Sequence, residues 1–212
     1  MAAIRILSLV AAFLLWAGVA PAQVSVQTEG GMQVMSKAQL GPNQRSGFNR
    51  FRARAREFHG AFYISIGSDD ASWWVDEHRL EDAKTSAKRN CEAFQRVKGK
   101  PCVLYAQLVP TGAAKGQGKL LRNVNFTLAR ELARSMGKGG GGSHTAVAAD
   151  RAGSWGMSWG QASRDAARKD ALVICNRRLA DKNYREQMAP AAFNAALSAG
   201  RFDCRLVAEW QR

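Results

Sequence analysis

The chain has 212 residues, with 31 Lys and Arg against 17 Asp and Glu, four cysteines and a formal net charge of +14. That length suits one ordinary domain or two small ones, and a balance so basic promises attraction to polyanions. Beyond residue 22 no stretch is long and apolar enough to form a membrane-spanning helix.

The first 22 residues carry one early charge, Arg5, an apolar run from Ile6 to Val19 and the small-residue step A-P-A. They read as a secretory signal peptide cleaved after Ala22, and the apolar run is short for an uncleaved anchor. The mature chain, at +13 once Arg5 has left, is therefore expected in the periplasm or outside the cell. Export removes most nucleic acid from reach. The expected polyanions are envelope ones: lipopolysaccharide, anionic lipid headgroups or acidic polysaccharide, with peripheral contact to a membrane surface.

Residues 23–44 are expected to form a flexible N-terminal segment, followed by a basic amphipathic helix over 45–58. Within it F-R-A-R-A-R alternates like a strand, but Phe48, Phe51, Ala55 and Phe58 step by helical intervals, and over the longer window the helix wins. Arg45, Arg50, Arg52, Arg54 and Arg56 then occupy the other faces as a candidate polyanion-binding surface. The Phe stripe suits either the protein's own sheet or an anionic membrane.

Two later segments align with each other. His59 to Cys91 meets His144 to Cys175 with one single-residue gap, pairing His59 with His144, Ala61 with Ala146, Ala83 with Ala167, Ala87 with Ala171 and Cys91 with Cys175. Each copy then reaches a second cysteine, Cys102 or Cys204, that opens an apolar strand. The expected fold is α+β: two related ββαβ units, 59–110 and 144–212, each with a helix packed on a small antiparallel sheet and one disulfide. In the first, Ala61–Gly67 and Ser72–Glu77 form a hairpin; in the second, the return strand is 155–161. Ser163 is a good N-cap for the helix that follows, in which Ala167, Ala171 and Cys175 recur at helical spacing. Between the units, 111–143 reads as a linker, with a helix over Asn125–Met136 burying Leu128, Leu132 and Met136 and a Gly-rich tether over 138–143. Residues 181–202 read as an insertion holding a short helix between Pro190 and Gly200.

In the second copy, W-G-M-S-W-G-Q-A-S, then A-L-V-I-C and D-C-R-L-V, resemble an uncharacterised family of secreted bacterial domains whose usual form runs W-G-x-S-x-G-x-A-S, A-x-x-x-A-L-x-x-C and D-C-R-V-V. The similarity covers 144–175 and 203–208. The first copy departs from it at S-W-W-V-D-E-H-R, and the interruption between Asp181 and Phe202 is a further departure. The resemblance implies an exported ββαβ unit with a disulfide and supplies no catalytic residue or substrate.

Four cysteines allow three pairings. The repeat favours Cys91 with Cys102 and Cys175 with Cys204, and the absence of C-x-x-C or a nearby His pair disfavours zinc. No metal or other cofactor is expected. G-M-S-W-G fits a hydrolase nucleophile elbow at Ser158, but all three histidines precede it, the counterpart in the first copy is Trp74, and Ser158 falls inside a strand rather than on a turn. Gly156 and Gly160 are expected to let aromatic rings cross that strand. G-Q-G-K-L lacks the spacing of a phosphate loop. Trp73, Trp74, Trp155 and Trp159 fall on equivalent strands; most of these rings are expected in the core, and one or two left exposed would form a candidate aromatic platform. Asp76 and His78 share a strand face, close enough for a metal or an acid/base pair, although a surface salt-bridge cluster is the expected reading. Together these features predict an exported, non-enzymatic envelope protein that binds an anionic glycan, lipid or protein. An inhibitor or immunity-type protein that blocks a lytic enzyme is the first alternative and a hydrolase the second.

Overall fold

In a computed structural model the fold is described for residues 24–116, 118–136 and 143–211. The segment expected to be a signal peptide and nearly all of the expected Gly-rich tether lie outside these residues. The described chain runs β1 (Val24–Val26), β2 (Glu29–Val34), α1 (Pro42–Arg52), β3 (Gly60–Ser65), β4 (Ala71–Trp74), α2 (Leu80–Ala93) and β5 (Cys102–Thr111). It continues through the short β6 (Lys115–Gly116) and β7 (Lys119–Leu120), α3 (Phe126–Ser135), β8 (His144–Ala149) and β9 (Trp155–Gln161). The last elements are α4 (Arg164–Asp181), α5 (Tyr184–Gln187), α6 (Pro190–Ser198) and β10 (Arg205–Gln211). The protein is thus a mixed α+β structure.

One sheet has the order β2-β5-β3-β4, a second β10-β8-β9, and a small third β6-β1-β7. Alternation along the central strands explains their packing, since successive side chains point to opposite faces. On β3, Phe62 and Ile64 join Phe51 of α1, whereas Ala61 and Tyr63 face Ala83, Ala87 and Cys91 of α2. On β8, Val147 and Ala149 meet Leu128 and Leu132 of α3, whereas Ala146 and Ala148 meet Ala167, Ala171 and Cys175 of α4. Each larger sheet is therefore held between two helices. Small residues every fourth position on α2 and α4 let those helices lie close, and Gly156 completes the fit: a Cβ there would stand 2.2 Å from the Ala171 carbonyl. This corrects the expectation that aromatic rings cross at Gly156. Gly160 likewise faces nothing within 4 Å; its φ of +73° lies beside the bulge where β9 slips register against β8.

Local capping sets the helix ends. Asn125 and Ser163 accept from the N–H groups of Leu128 and Ala166 at 2.9 and 3.2 Å. At α1, Pro42 occupies the first turn, and the cap comes from the β3–β4 loop: the Asp69 carboxylate accepts from the amides of Asn43 and Gln44 at 2.9 and 3.1 Å. The helix expected over 45–58 accordingly runs from Pro42 to Arg52. Its apolar stripe is also divided: Phe51 is fully buried against the first sheet, and Phe58, beyond a turn, enters the core under α3. Residues 23–44 are not a loose arm. β2 pairs along β5 from Glu29 opposite Thr111 to Val34 opposite Ala106, and β1 carries Val24 and Val26 into the core under α3. The boundaries 59–110 and 144–212 are crossed by these contacts.

Disulfides join Cys91 to Cys102 and Cys175 to Cys204, each tying a helix to the strand that follows. Closing chain segments of 11 and 29 residues, they contribute between about 3 and about 4 kcal/mol each by loop entropy. Two such bonds suit an oxidising compartment. No helix among the described residues is long and apolar enough to cross a membrane.

Candidate functional site: a cleft and a basic face beside a buried polar junction

The segment V-D-E-H-R differs most from expectation. β4 ends at Trp74, and Asp76 sits at φ +63°, a region that non-glycine residues rarely occupy. The chain then dives between the two sheets, so Glu77 and His78 are 1% and 2% exposed rather than part of a surface salt-bridge cluster. His78 accepts the Asn125 N–H at Nδ1 (2.9 Å) and donates from Nε2 to the Ser154 carbonyl (3.0 Å). Both nitrogens are committed and the tautomer is fixed. Burial pushes its pKa down to about 3, which removes it as an acid/base partner for Asp76. Asp76 accepts from the Thr127 hydroxyl at 3.0 Å, and burial raises its carboxyl to about 6.

Around this turn the halves of the chain are bolted together. Arg201, 4% exposed, donates to Glu77 at 2.7 Å and to Ser86 at 2.9 Å. Arg151 grips Asp82 with two hydrogen bonds of 2.6 and 3.1 Å. Burial pushes the Glu77 carboxyl upward against the opposing pull of Arg201. Two acidic side chains thus meet two guanidiniums across the junction. Asn125 donates to the carbonyls of Asp76 and Gly153 at 3.1 and 3.0 Å, and Lys182 donates to Gly153 at 2.8 Å.

A cleft of about 460 Å³ opens beside the junction, walled by Trp73, Trp74, Tyr184, Asp76, Lys182 and Gln187. Trp74 lies 6.5 Å from Tyr184, ring centre to ring centre. Neighbours on β4 point to opposite faces, so the two indoles reach the cleft around the free edge of that strand. The four tryptophans do not share one surface. Trp155 is buried, with the Arg178 guanidinium 3.8 Å over its ring, and Trp159 stands 53% exposed on β9. Lys182 and Tyr184 escaped sequence reasoning because the interruption that carries them has no counterpart in the first copy. The recurrence of Tyr184, Phe193 and Phe202 in so short an insertion was the available signal, since these rings stack with one another.

Trp73 also walls a second cleft, of about 330 Å³, against α1, shared with Arg50, Asp69, Asp70 and Arg96. Both carboxylates there are engaged, Asp69 by the α1 amides and Asp70 by Arg96 at 2.7 Å. Among the described residues Arg50 has no ion-pair partner. Arg45, Arg52, Arg54 and Arg56 are exposed too, and among the described residues only Arg54 has a carboxylate partner, Glu57. Phe48 packs edge-on against Phe62 and Tyr105 at 5.6 and 5.1 Å. The stripe is core; Arg45, Arg50 and Arg52 ride on a helix fixed to the sheet, and Arg54 and Arg56 lie in the turn beyond it.

Ser158 is 5% exposed at the centre of β9 opposite Ala146, and its hydroxyl accepts from Gln161 at 3.1 Å. No histidine bonds to it. Among the described residues no group of three or more His, Cys, Asp or Glu could hold a metal. Comparison with family models, curated proteins and solved structures gives no significant match.

Proposed function

We propose that this chain is an exported, non-enzymatic binding protein of the cell envelope that holds an anionic glycan along the strip from Arg50 across Trp73 and Trp74 to Lys182. The observation that carries the reading is the position of Trp73, which walls both clefts and so joins a free guanidinium on one side to an ammonium on the other. Indole faces offer apolar area to the C–H face of a pyranose. Arg50 can take a uronate carboxylate or sulfate through two parallel hydrogen bonds. Asp76 and Gln187 provide acceptors for hydroxyls. The net charge of +13 on the mature chain draws it in from solution.

In the same proposal the two larger sheets descend from one ββαβ unit like that of the secreted bacterial family described above. Supporting this, the strand orders β5-β3-β4 and β10-β8-β9 correspond, each disulfide joins the unit's helix to its last strand, and the cross-strand partners match, Ala61 with Trp74 and Ala146 with Ser158. The glycan cleft then belongs to the copy that diverged, where Trp74 replaced the serine.

The test is calorimetric titration of the mature protein with a uronic-acid oligosaccharide and with a neutral one of equal length. Tighter binding of the uronate that weakens steeply with salt, and that falls roughly tenfold in Arg50→Gln, supports the assignment, since a charge-assisted hydrogen bond contributes about 1.5–3 kcal/mol. Equal binding of both sugars, or an unchanged affinity in the variant, refutes it.

A further inference from the structure

Another cleft, of about 470 Å³, opens where the start of β3, the N-terminus of α2 and the segment between β7 and α3 meet; its polar walls are Gln27, His59, Arg79, Glu81, Arg122 and Asn123. We propose that it is a binding site for a phosphomonoester-type oxyanion, gripped by the Arg79 and Arg122 guanidiniums, the first-turn amides of α2 and the His59 ring. This site is separate from the glycan strip and does not rest on it.

Three independent features converge. The first is the start of α2, where Arg79 stands at the cap position and no side chain accepts from the opening amides. Unmet N–H groups and the positive end of the helix dipole favour an anion there. The two carboxylates of that first turn are already held by cations, Glu81 by Lys84 at 2.9 Å and Asp82 by Arg151 at 2.6 Å. Glu81 remains the one negative wall of the cleft, which selects for a ligand bound on the arginine side.

The second feature is His59, only 6% exposed and held at φ +57°. Its Nδ1 donates to the Glu77 carbonyl at 3.1 Å, and Nε2 makes no hydrogen bond among the described residues. The ring also lines the cleft, where its edge can meet a ligand. Burial holds the ring below the ordinary histidine pKa, so the free protein presents a neutral imidazole. The charged groups that share its cleft are Arg79, Glu81 and Arg122, with the neutral His78 behind it. An oxyanion at Nε2 favours protonation of the ring and gains a donor.

The third feature is the pair of guanidiniums. Arg79 and Arg122 come from separate elements, both are exposed, and neither is in an ion pair among the described residues. Fork-shaped donors of this kind match the three terminal oxygens of a phosphate monoester, whose remaining lone pairs can accept from the helix amides and His59. The chemistry is shared by a soluble phosphomonoester and by the terminal phosphate of a lipid headgroup.

The experiment uses the mature protein at low salt, titrated calorimetrically with inorganic phosphate and with phenyl phosphate, while flotation with vesicles containing phosphatidic acid tests the lipid source. Saturable phosphate binding that weakens roughly tenfold or more in Arg79→Gln/Arg122→Gln and is unchanged in Arg50→Gln establishes the site. The His59 ring resonances should move during the titration, a response that a diffuse ion atmosphere does not produce. Binding of phosphatidic acid vesicles without phenyl phosphate binding assigns the lipid source; phenyl phosphate binding without flotation assigns a soluble one. Absence of saturable binding in every arm, or equal affinity in the double variant with its melting temperature preserved, overturns the proposal. The Arg50→Gln arm keeps the outcome separate from that of the glycan strip.

Discussion

Replacing Arg201 by Met removes the cation at the centre of the junction while keeping much of its length. Asp82 retains its two hydrogen bonds from Arg151, so the damage concentrates on Glu77, which loses its 2.7 Å partner while 1% exposed. Stripping one partner from a buried ion pair costs roughly 3–5 kcal/mol. For a chain of this size each kcal/mol shifts the melting temperature by about 2–4 °C, so a fall on the order of 10 °C is expected. The pH dependence is a second signature. Burial raises the Glu77 carboxyl in the folded state, and the variant removes the opposing attraction of Arg201. The folded protein then holds its Glu77 proton more tightly than the unfolded chain does. Stability contributed by that proton is present below the unfolded pKa, about 4.3, and is lost as pH rises through the raised folded value. Denaturant unfolding of Arg201→Met should therefore show a deficit that grows as pH rises through the parent's own raised Glu77 value of about 8, smaller near pH 6 than near pH 9, and Arg201→Met/Glu77→Leu should recover much of the loss at both. A deficit below about 1 kcal/mol near pH 9, or one that does not change with pH, would refute the buried junction as described, because exposed pairs contribute only that little.

Gly156→Ala places a methyl within 2.2 Å of the Ala171 carbonyl and 2.5 Å of the Cys175 amide; a loss of at least about 1–3 kcal/mol is expected by thermal denaturation, and a neutral result would contradict the close seating of α4 on β9. Phe51→Ser empties a fully buried site between α1 and the first sheet, so unfolding should show a loss of about 3–5 kcal/mol, whereas vesicle binding at unchanged stability would return the Phe stripe to the membrane. Ser158→Ala should leave fluorophosphonate labelling as it is in the parent, since no base reaches the hydroxyl; labelling that disappears in the variant would reinstate a hydrolase.

Sequence was informative where structure is decided locally. Ser163 before the Ala167, Ala171, Cys175 spacing marked α4, and Asn125 before Leu128 and Leu132 marked α3, because capping and helical periodicity act within a few residues. The cysteine pairing followed from repeated order. Reading faltered where a partner distant in sequence decides. Phe51 and Phe58 share a helical spacing yet serve two cores, since the Asp69 cap starts α1 earlier and the turn after Arg52 redirects the chain. The polar D-E-H-R looked like surface until Arg201, more than a hundred residues away, was brought to Glu77. β2, on a sheet edge with mostly exposed or half-buried side chains, has a weak apolar signal and two glycines, and only its ladder with β5 makes it a strand. Of the candidate site, the arginine face was legible from composition, but the grouping of Trp73 and Trp74 with Lys182 required the insertion to fold back against the first sheet.

The most direct test of glycan binding is a titration of the mature protein with a uronic-acid oligosaccharide, following the indole N–H resonances by heteronuclear NMR. The clefts predict large shifts at Trp73 and Trp74, accompanied by Lys182 and Arg50, and little change at the buried Trp155 and Trp210. Shifts confined to the exposed Trp159, or no saturable change at any indole, would contradict it.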